Sequence, residues 1–107
     1  MTVNVTHSKQ KSQVVEILDR PLSALFAGVI SGFEIAEELR TWNESVMTFS
    51  FIGRVGFISI PLAGTMDVRE TLVVVDVDLP PVVKMFVGED KVKAGLEKEI
   101  LALITRG

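Results

Sequence analysis

Three successive stretches of this chain alternate apolar and polar residues with a period of two, and that pattern leaves few folds open. Val46–Phe51 places Met47, Phe49 and Phe51 on one face. Phe57–Val68 aligns Ile58, Ile60, Leu62, Met66 and Val68, with Gly64 in the same row. Thr71–Leu79 aligns Val73, Val75, Val77 and Leu79 opposite Asp76 and Asp78. Successive side chains of a strand point to opposite faces, so each stretch has one apolar and one polar side. Such strands build an antiparallel sheet that is covered on one face only. Asn43-Glu44, Gly53-Arg54 and Arg69-Glu70 mark the connections, the last short enough for a tight hairpin. Pro61 has no N–H for a ladder, so its strand is expected to lie at an edge there or to bulge.

The flanks supply the cover. Thr2–Thr6 alternates Val3 and Val5 with polar neighbours and reads as a short strand. Val14, Leu18, Leu22, Leu25 and Val29 then recur at helical spacing, with Ser8 or Ser12 as the expected cap. Pro21 lies inside that stripe. It predicts a kink near Asp19–Pro21, or two helices with Pro21 in the first turn of the second. Ser31-Gly32 is the expected end of the helical run. The segment 32–42 is ambiguous. Phe33, Ile35 and Leu39 share strand parity, Glu37 breaks it, and the context favours a strand. Pro80-Pro81 stops the sheet. Beyond it Val82, Val83, Phe86, Val92, Leu96, Ile100, Leu103 and Ile104 read as helix, interrupted at Gly88-Glu89-Asp90, with Asp90 as cap of the second part. The prediction is an α+β fold of order β-α-β-β-β-β-α. One antiparallel sheet carries the N-terminal and C-terminal helices on one face. With 107 residues there is room for one domain, 1–107.

Composition narrows the function classes. A net charge of −3 and a pI near 5.1 argue against a nucleic-acid partner. The lysines near the C-terminus alternate with Glu89, Asp90, Glu97 and Glu99, so they form a mixed solvated face rather than a basic patch. No apolar run reaches the ~20 residues of a membrane span, and the polar stretch 1–13 is unlike a signal peptide. With no cysteine, a cytoplasmic location is the expectation. Mean hydropathy is nevertheless +0.40. Apolar surface is therefore expected to remain outside the core, for a homodimer, a ligand groove or contact with another apolar phase.

The inventory of chemical groups is thin. His7 is the only histidine. It suits a general base on its own, but the simpler reading is a residue at the helix entry. One histidine and no cysteine make no multi-histidine metal site, so neither metal nor cofactor is expected. There is no Gly-x-Ser-x-Gly elbow, and Gly53-Arg-Val-Gly56 lacks the Lys-Ser/Thr ending of a phosphate loop. Asp76 and Asp78 share one strand face, which must be polar anyway. Trp42 and the Met47, Phe49, Phe51 and Phe57 group read either as core or as an apolar binding site.

Trp42-Asn43-Glu44-Ser45-Val46-Met47-Thr48-Phe49 resembles a Trp-x-Gly-Asp-x-Leu-x-Phe motif. That motif belongs to the polyhydroxyalkanoic acid system proteins, small bacterial proteins encoded near genes for polyhydroxyalkanoate storage granules. Further similarities follow in order. His7 stands after the first strand, where the family has His-x-Leu-Gly. Gly64-Thr65-Met66-Asp67-Val68 is similar to Gly-x-Ile-x-Val, and Val77-Asp78-Leu79-Pro80 to Val-x-Leu-Pro. Leu96-Glu97-Lys98-Glu99 resembles the closing helix. Glu44-Ser45 departs from Gly-Asp, Lys9-Gln10 from Leu-Gly, Ser59 from a glycine and Pro81 from an aromatic residue. The resemblance implies an accessory protein of the granule or its synthesis machinery, with no catalytic residues to carry over. Two readings stand: a non-enzymatic interaction protein that docks on a granule, a granule protein or its own copy, and a binder of a small apolar ligand between sheet and C-terminal helix. Candidate ligand- or partner-binding residues are Trp42, Phe49, Phe51, Phe57, Met66 and Phe86.

Overall fold

The computed structural model describes residues 1–26, 29, 32–86 and 88–106, the Phe86 side chain excepted. The chain runs β1 (Thr2–Thr6), α1 (Lys11–Leu18), α2 (Leu22–Leu25), β2 (Glu34–Asn43), β3 (Val46–Val55), β4 (Ile58–Val68), β5 (Leu72–Asp78), α3 (Pro81–Phe86) and α4 (Glu89–Arg106). The strands form one antiparallel sheet of order β1-β5-β4-β3-β2. Strands β2 to β5 are therefore a meander, and β1 adds to the outer side of β5. This is the α+β fold expected from the period-two pattern.

The apolar rows meet in a single core under the helices. Met47, Phe49, Phe51, Leu62, Met66, Val68, Val73, Val75 and Val77 are all buried, with Val3 and Val5 from β1. Helix α1 contributes Val14 and Leu18, α2 contributes Leu22 and Leu25, and α4 contributes Val92, Leu96, Ile100, Leu103 and Ile104. Burying side chains of this size is worth roughly 1.5–3 kcal/mol each. An aromatic cluster ties α2 to the sheet. Phe26 lies 5.7 Å from Phe49 and 5.1 Å from Phe51, and Phe33 meets Phe51 edge-on at 6.0 Å. Ring separations of this kind add roughly 0.5–1.5 kcal/mol to burial.

Several local expectations need correction. Neither Ser8 nor Ser12 caps α1. Gln10 is its N-cap, and Gln13 Oε1 accepts the Gln10 N–H at 3.1 Å. The Pro21 break gives two helices, with Pro21 itself the N-cap of α2 rather than a residue of its first turn. The helical run stops at Leu25 rather than Ser31-Gly32, and Ser31 lies outside the described residues. Gly53-Arg54 is strand, paired with Ile60 and Ser59. The turn falls instead at Gly56-Phe57, where Gly56 has φ +60. A glycine at the first central position is what a two-residue type II′ hairpin needs. The β4–β5 connection centres on Glu70-Thr71, closed by Arg69 N–H donating to Leu72 O at 2.7 Å. Asp90 lies inside the first turn of α4 and does not cap it; there, with Glu89, it favours the positive end of the helix dipole.

Strand β2 explains its own ambiguity. The register passes from Ala36↔Ile52 to Leu39↔Ser50, so Glu37 and Glu38 oppose Phe51 alone. That is a β-bulge, and Glu37 sits in it at φ 53. The bulge reverses parity. Leu39, expected beside Phe33 and Ile35, faces the uncovered side and is 69% exposed. Pro61 behaves as expected. The β4–β5 register begins at Ala63↔Asp78, so Ile58–Leu62 pair with β3 alone and Pro61 stands at an edge.

Two backbone positions yield predictions. A Cβ on Gly64 would run into the Asp76 carbonyl oxygen and come within 2.8 Å of Phe49 Cζ. Gly64→Ala should therefore lower stability by about 2–3 kcal/mol, read as a shifted urea midpoint at unchanged slope. Glu44, at φ 56 in the β2–β3 turn, occupies a conformation disfavoured for L residues. Glu44→Gly should raise stability by about 0.5 kcal/mol after the entropy of the glycine is counted.

Candidate functional site

Three features stand outside the core: the uncovered sheet face, the β3–β4 hairpin tip and a polar clamp at Trp42. The uncovered face is built by the alternate residues of each strand. Across it run Thr41, Thr48, Thr65, Asp76 and Thr2 in one row, and Leu39, Ser50, Ala63 and Asp78 in the next. Small side chains there leave a groove of about 650 Å³ that includes Glu37, Ser50, Ile52, Pro61, Ala63 and Asp78 in its lining. A second, of about 320 Å³, shares Ala63 and Asp78 and adds Thr48, Thr65 and Asp76. Ile52, Pro61 and Ala63 give the lining apolar surface, and Glu37, Asp76 and Asp78 give it carboxylates. This volume matches small-ligand sites. The lining residues offer carboxylates and hydroxyls but no histidine, lysine or thiol, so the groove is equipped to hold a ligand by shape and charge.

The clamp joins the α1–α2 break to β2. Asp19 Oδ1 accepts from Arg40 Nη1 at 3.1 Å and from Trp42 Nε1 at 3.0 Å. Arg40 Nε also meets Glu38 Oε2 at 2.9 Å. The other oxygen of Glu38 accepts the Leu22 N–H at 2.9 Å and so satisfies an orphan donor at the start of α2. The bulge makes this possible by sending Glu38 to the helix side while Glu37 borders the groove.

The six candidate binding residues do not form one site. Phe49, Phe51 and Met66 come together, but inside the core, each 2% exposed or less. Phe26, at the end of α2, packs on both phenylalanines. Trp42 is half-buried in the clamp. Phe57 stands apart at the hairpin tip and is fully exposed, beside Ile58 at 38%. The Phe86 side chain lies outside the described residues. His7 sits at the end of β1, where Nε2 donates to Arg69 O at 2.9 Å and Nδ1 is buried without a partner among the described residues. Among the described residues no group of three or more His, Asp or Glu could hold a metal ion, and no helix is long and apolar enough to cross a membrane.

The uncovered groove was missed by sequence reasoning. Its signal was available in the run of Thr, Ser and Ala on the polar parity, but the bulge that brings Glu37 to it has no glycine to announce it. No protein-family model, curated protein or solved structure matches the chain. The clamp gives a direct prediction. Glu38→Ala should cost about 1 kcal/mol through the lost cap, a fall of about 4–8 °C in melting temperature for a domain near this size. Glu38→Gln, which keeps the acceptor, should lose less.

Proposed function

We propose that this chain is a non-enzymatic accessory protein that docks on an apolar phase, the polyhydroxyalkanoate granule or a protein on it, in the bacterial cytoplasm. The observation that carries the reading is Phe57, at 108% relative exposure on the tip of the longest hairpin, next to Ile58. A fully exposed phenylalanine at a turn contributes nothing to the fold, and its burial on a partner is worth roughly 1.5–3 kcal/mol. The tip also projects beyond the end of β5, and β2 runs beside the hairpin only as far as Glu34 opposite Arg54.

The motif resemblance is supported at two positions. Glu44 stands where the family has glycine, and its φ of 56 is the backbone conformation glycine serves. Phe49 and Gly64, each a motif residue, pair directly across β3 and β4 with the ring against the glycine. A second reading, a binder of a small apolar ligand, is favoured by the groove on the uncovered face. Ile52, Pro61 and Ala63 give that groove its apolar lining.

The test is co-sedimentation of the purified chain with polyhydroxybutyrate particles. Wild type should pellet with them, and Phe57→Ala should partition about tenfold or more less with an unchanged melting temperature. Failure of the wild type to bind, or equal binding by the variant, would overturn the reading. Displacement of a bound hydrophobic dye by Ala63→Glu but not by Phe57→Ala would favour the groove.

A further inference from the structure

The two edges of the sheet are treated differently. The β2 edge is guarded by a bulge, by Glu37 at φ 53 and by the charges of Glu34, Glu38 and Arg40. Such devices block edge-to-edge pairing. The β1 edge has none of them. Thr2-Val3-Asn4-Val5-Thr6 carries no charge, no proline and no bulge, and its register with β5 is continuous.

The hydrogen bonds fix which groups this edge presents. Met1 N donates to Val77 O at 3.0 Å, and Val77 N donates to Met1 O at 2.8 Å. At the other end His7 N donates to Thr71 O at 3.0 Å. Bonded pairs alternate along an antiparallel ladder, so Val3 and Val5 also face β5. Thr2, Asn4 and Thr6 therefore direct their N–H and C=O groups outward, and no described strand pairs with them.

The sequence of this edge is a palindrome. Turned by a two-fold axis through Asn4, the strand presents the same residues in the same order. Thr2 of one copy then faces Thr6 of the other, Val3 faces Val5, and Asn4 faces Asn4. The outward groups fall opposite one another in the bonded register, because residues 2, 4 and 6 pair only among themselves. Every facing pair is neutral, and Thr–Thr and Val–Val are favourable cross-strand neighbours. The valines stay on the helix-covered face, where α4 packs over β1.

We propose that β1 is a homodimer interface, in which two copies join edge to edge in antiparallel register about Asn4 to form one continuous sheet. This closes the unguarded edge with the only partner whose sequence is guaranteed to match, a second copy of the chain. The proposal is independent of granule docking, since the Phe57 tip lies on the β3–β4 hairpin and not on β1.

Light scattering across a dilution series tests it. The wild type should show a mass of twice 11.7 kDa that falls to the single-chain value on dilution. Asn4→Pro removes an outward donor while leaving the bonds of Val3 and Val5 to β5. It should weaken the dimer about tenfold or more. Asn4→Lys sets like charges face to face and should do the same, which covers the case of a proline variant that misfolds. Because the chain has no cysteine, register can be read directly. Asn4→Cys places the two thiols on Cα atoms about 5.5 Å apart, within disulfide reach, so mild oxidation should cross-link it. Thr2→Cys alone should not cross-link, but mixed with Thr6→Cys it should. A wild type that is single-chain at every concentration, a dimer indifferent to both Asn4 substitutions, or a dimer that Asn4→Cys cannot cross-link would overturn the proposal.

Discussion

The burial of one sheet face, and only one, governs this domain. The helices cover the side on which Phe49, Phe51, Met66 and the β5 valines lie, and nothing described covers the other. Phe49 shows how tightly that side is closed. Its ring rests on Gly64 of the next strand, where no side chain would fit, and it meets Phe26 from above. Phe33 likewise lies over Gly53. Aromatic rings thus take the space that two strand glycines vacate. This seats the end of α2 and the start of β2 on the sheet.

Apolar groups excluded from the core appear at separate places: Phe57 and Ile58 at the hairpin tip, Leu39 on the uncovered face, Met85 on α3 and Leu101 on α4. This dispersal accounts for a positive mean hydropathy in a chain whose core is already full. The uncovered face offers shape and carboxylates, the hairpin tip offers an apolar anchor, and the β1 edge offers backbone pairing. These are surfaces of different kinds.

Most of the sheet was legible in the sequence because period-two alternation survives wherever one face is buried. The strand Thr2–Thr6 and the rows through β3, β4 and β5 follow it, apart from Ile58 at the exposed end of its row, and Pro61 marked the point where β4 loses a neighbour. Strand β2 was obscure for a physical reason. An inserted residue at Glu37-Glu38 reverses parity, so no single alternation spans the strand. The clamp was hidden too, because Glu38, Arg40 and Trp42 face the helix side while their partner Asp19 is distant in sequence. Turn positions were read less well than strands. Gly53-Arg54 looked like a connection, but the decisive glycine was Gly56. Of the candidate binding residues, the aromatic ones on the apolar parity belonged to the core, and Phe57 was separated from them by one turn.

The proposed docking through the hairpin tip has a direct readout. Hydrogen exchange with and without polyhydroxybutyrate particles measures this residue by residue. The account predicts added protection confined to the tip around Gly56, Phe57 and Ile58, with α1 and α4 unchanged. Unchanged exchange at the tip, or protection spread over the helices instead, would contradict it.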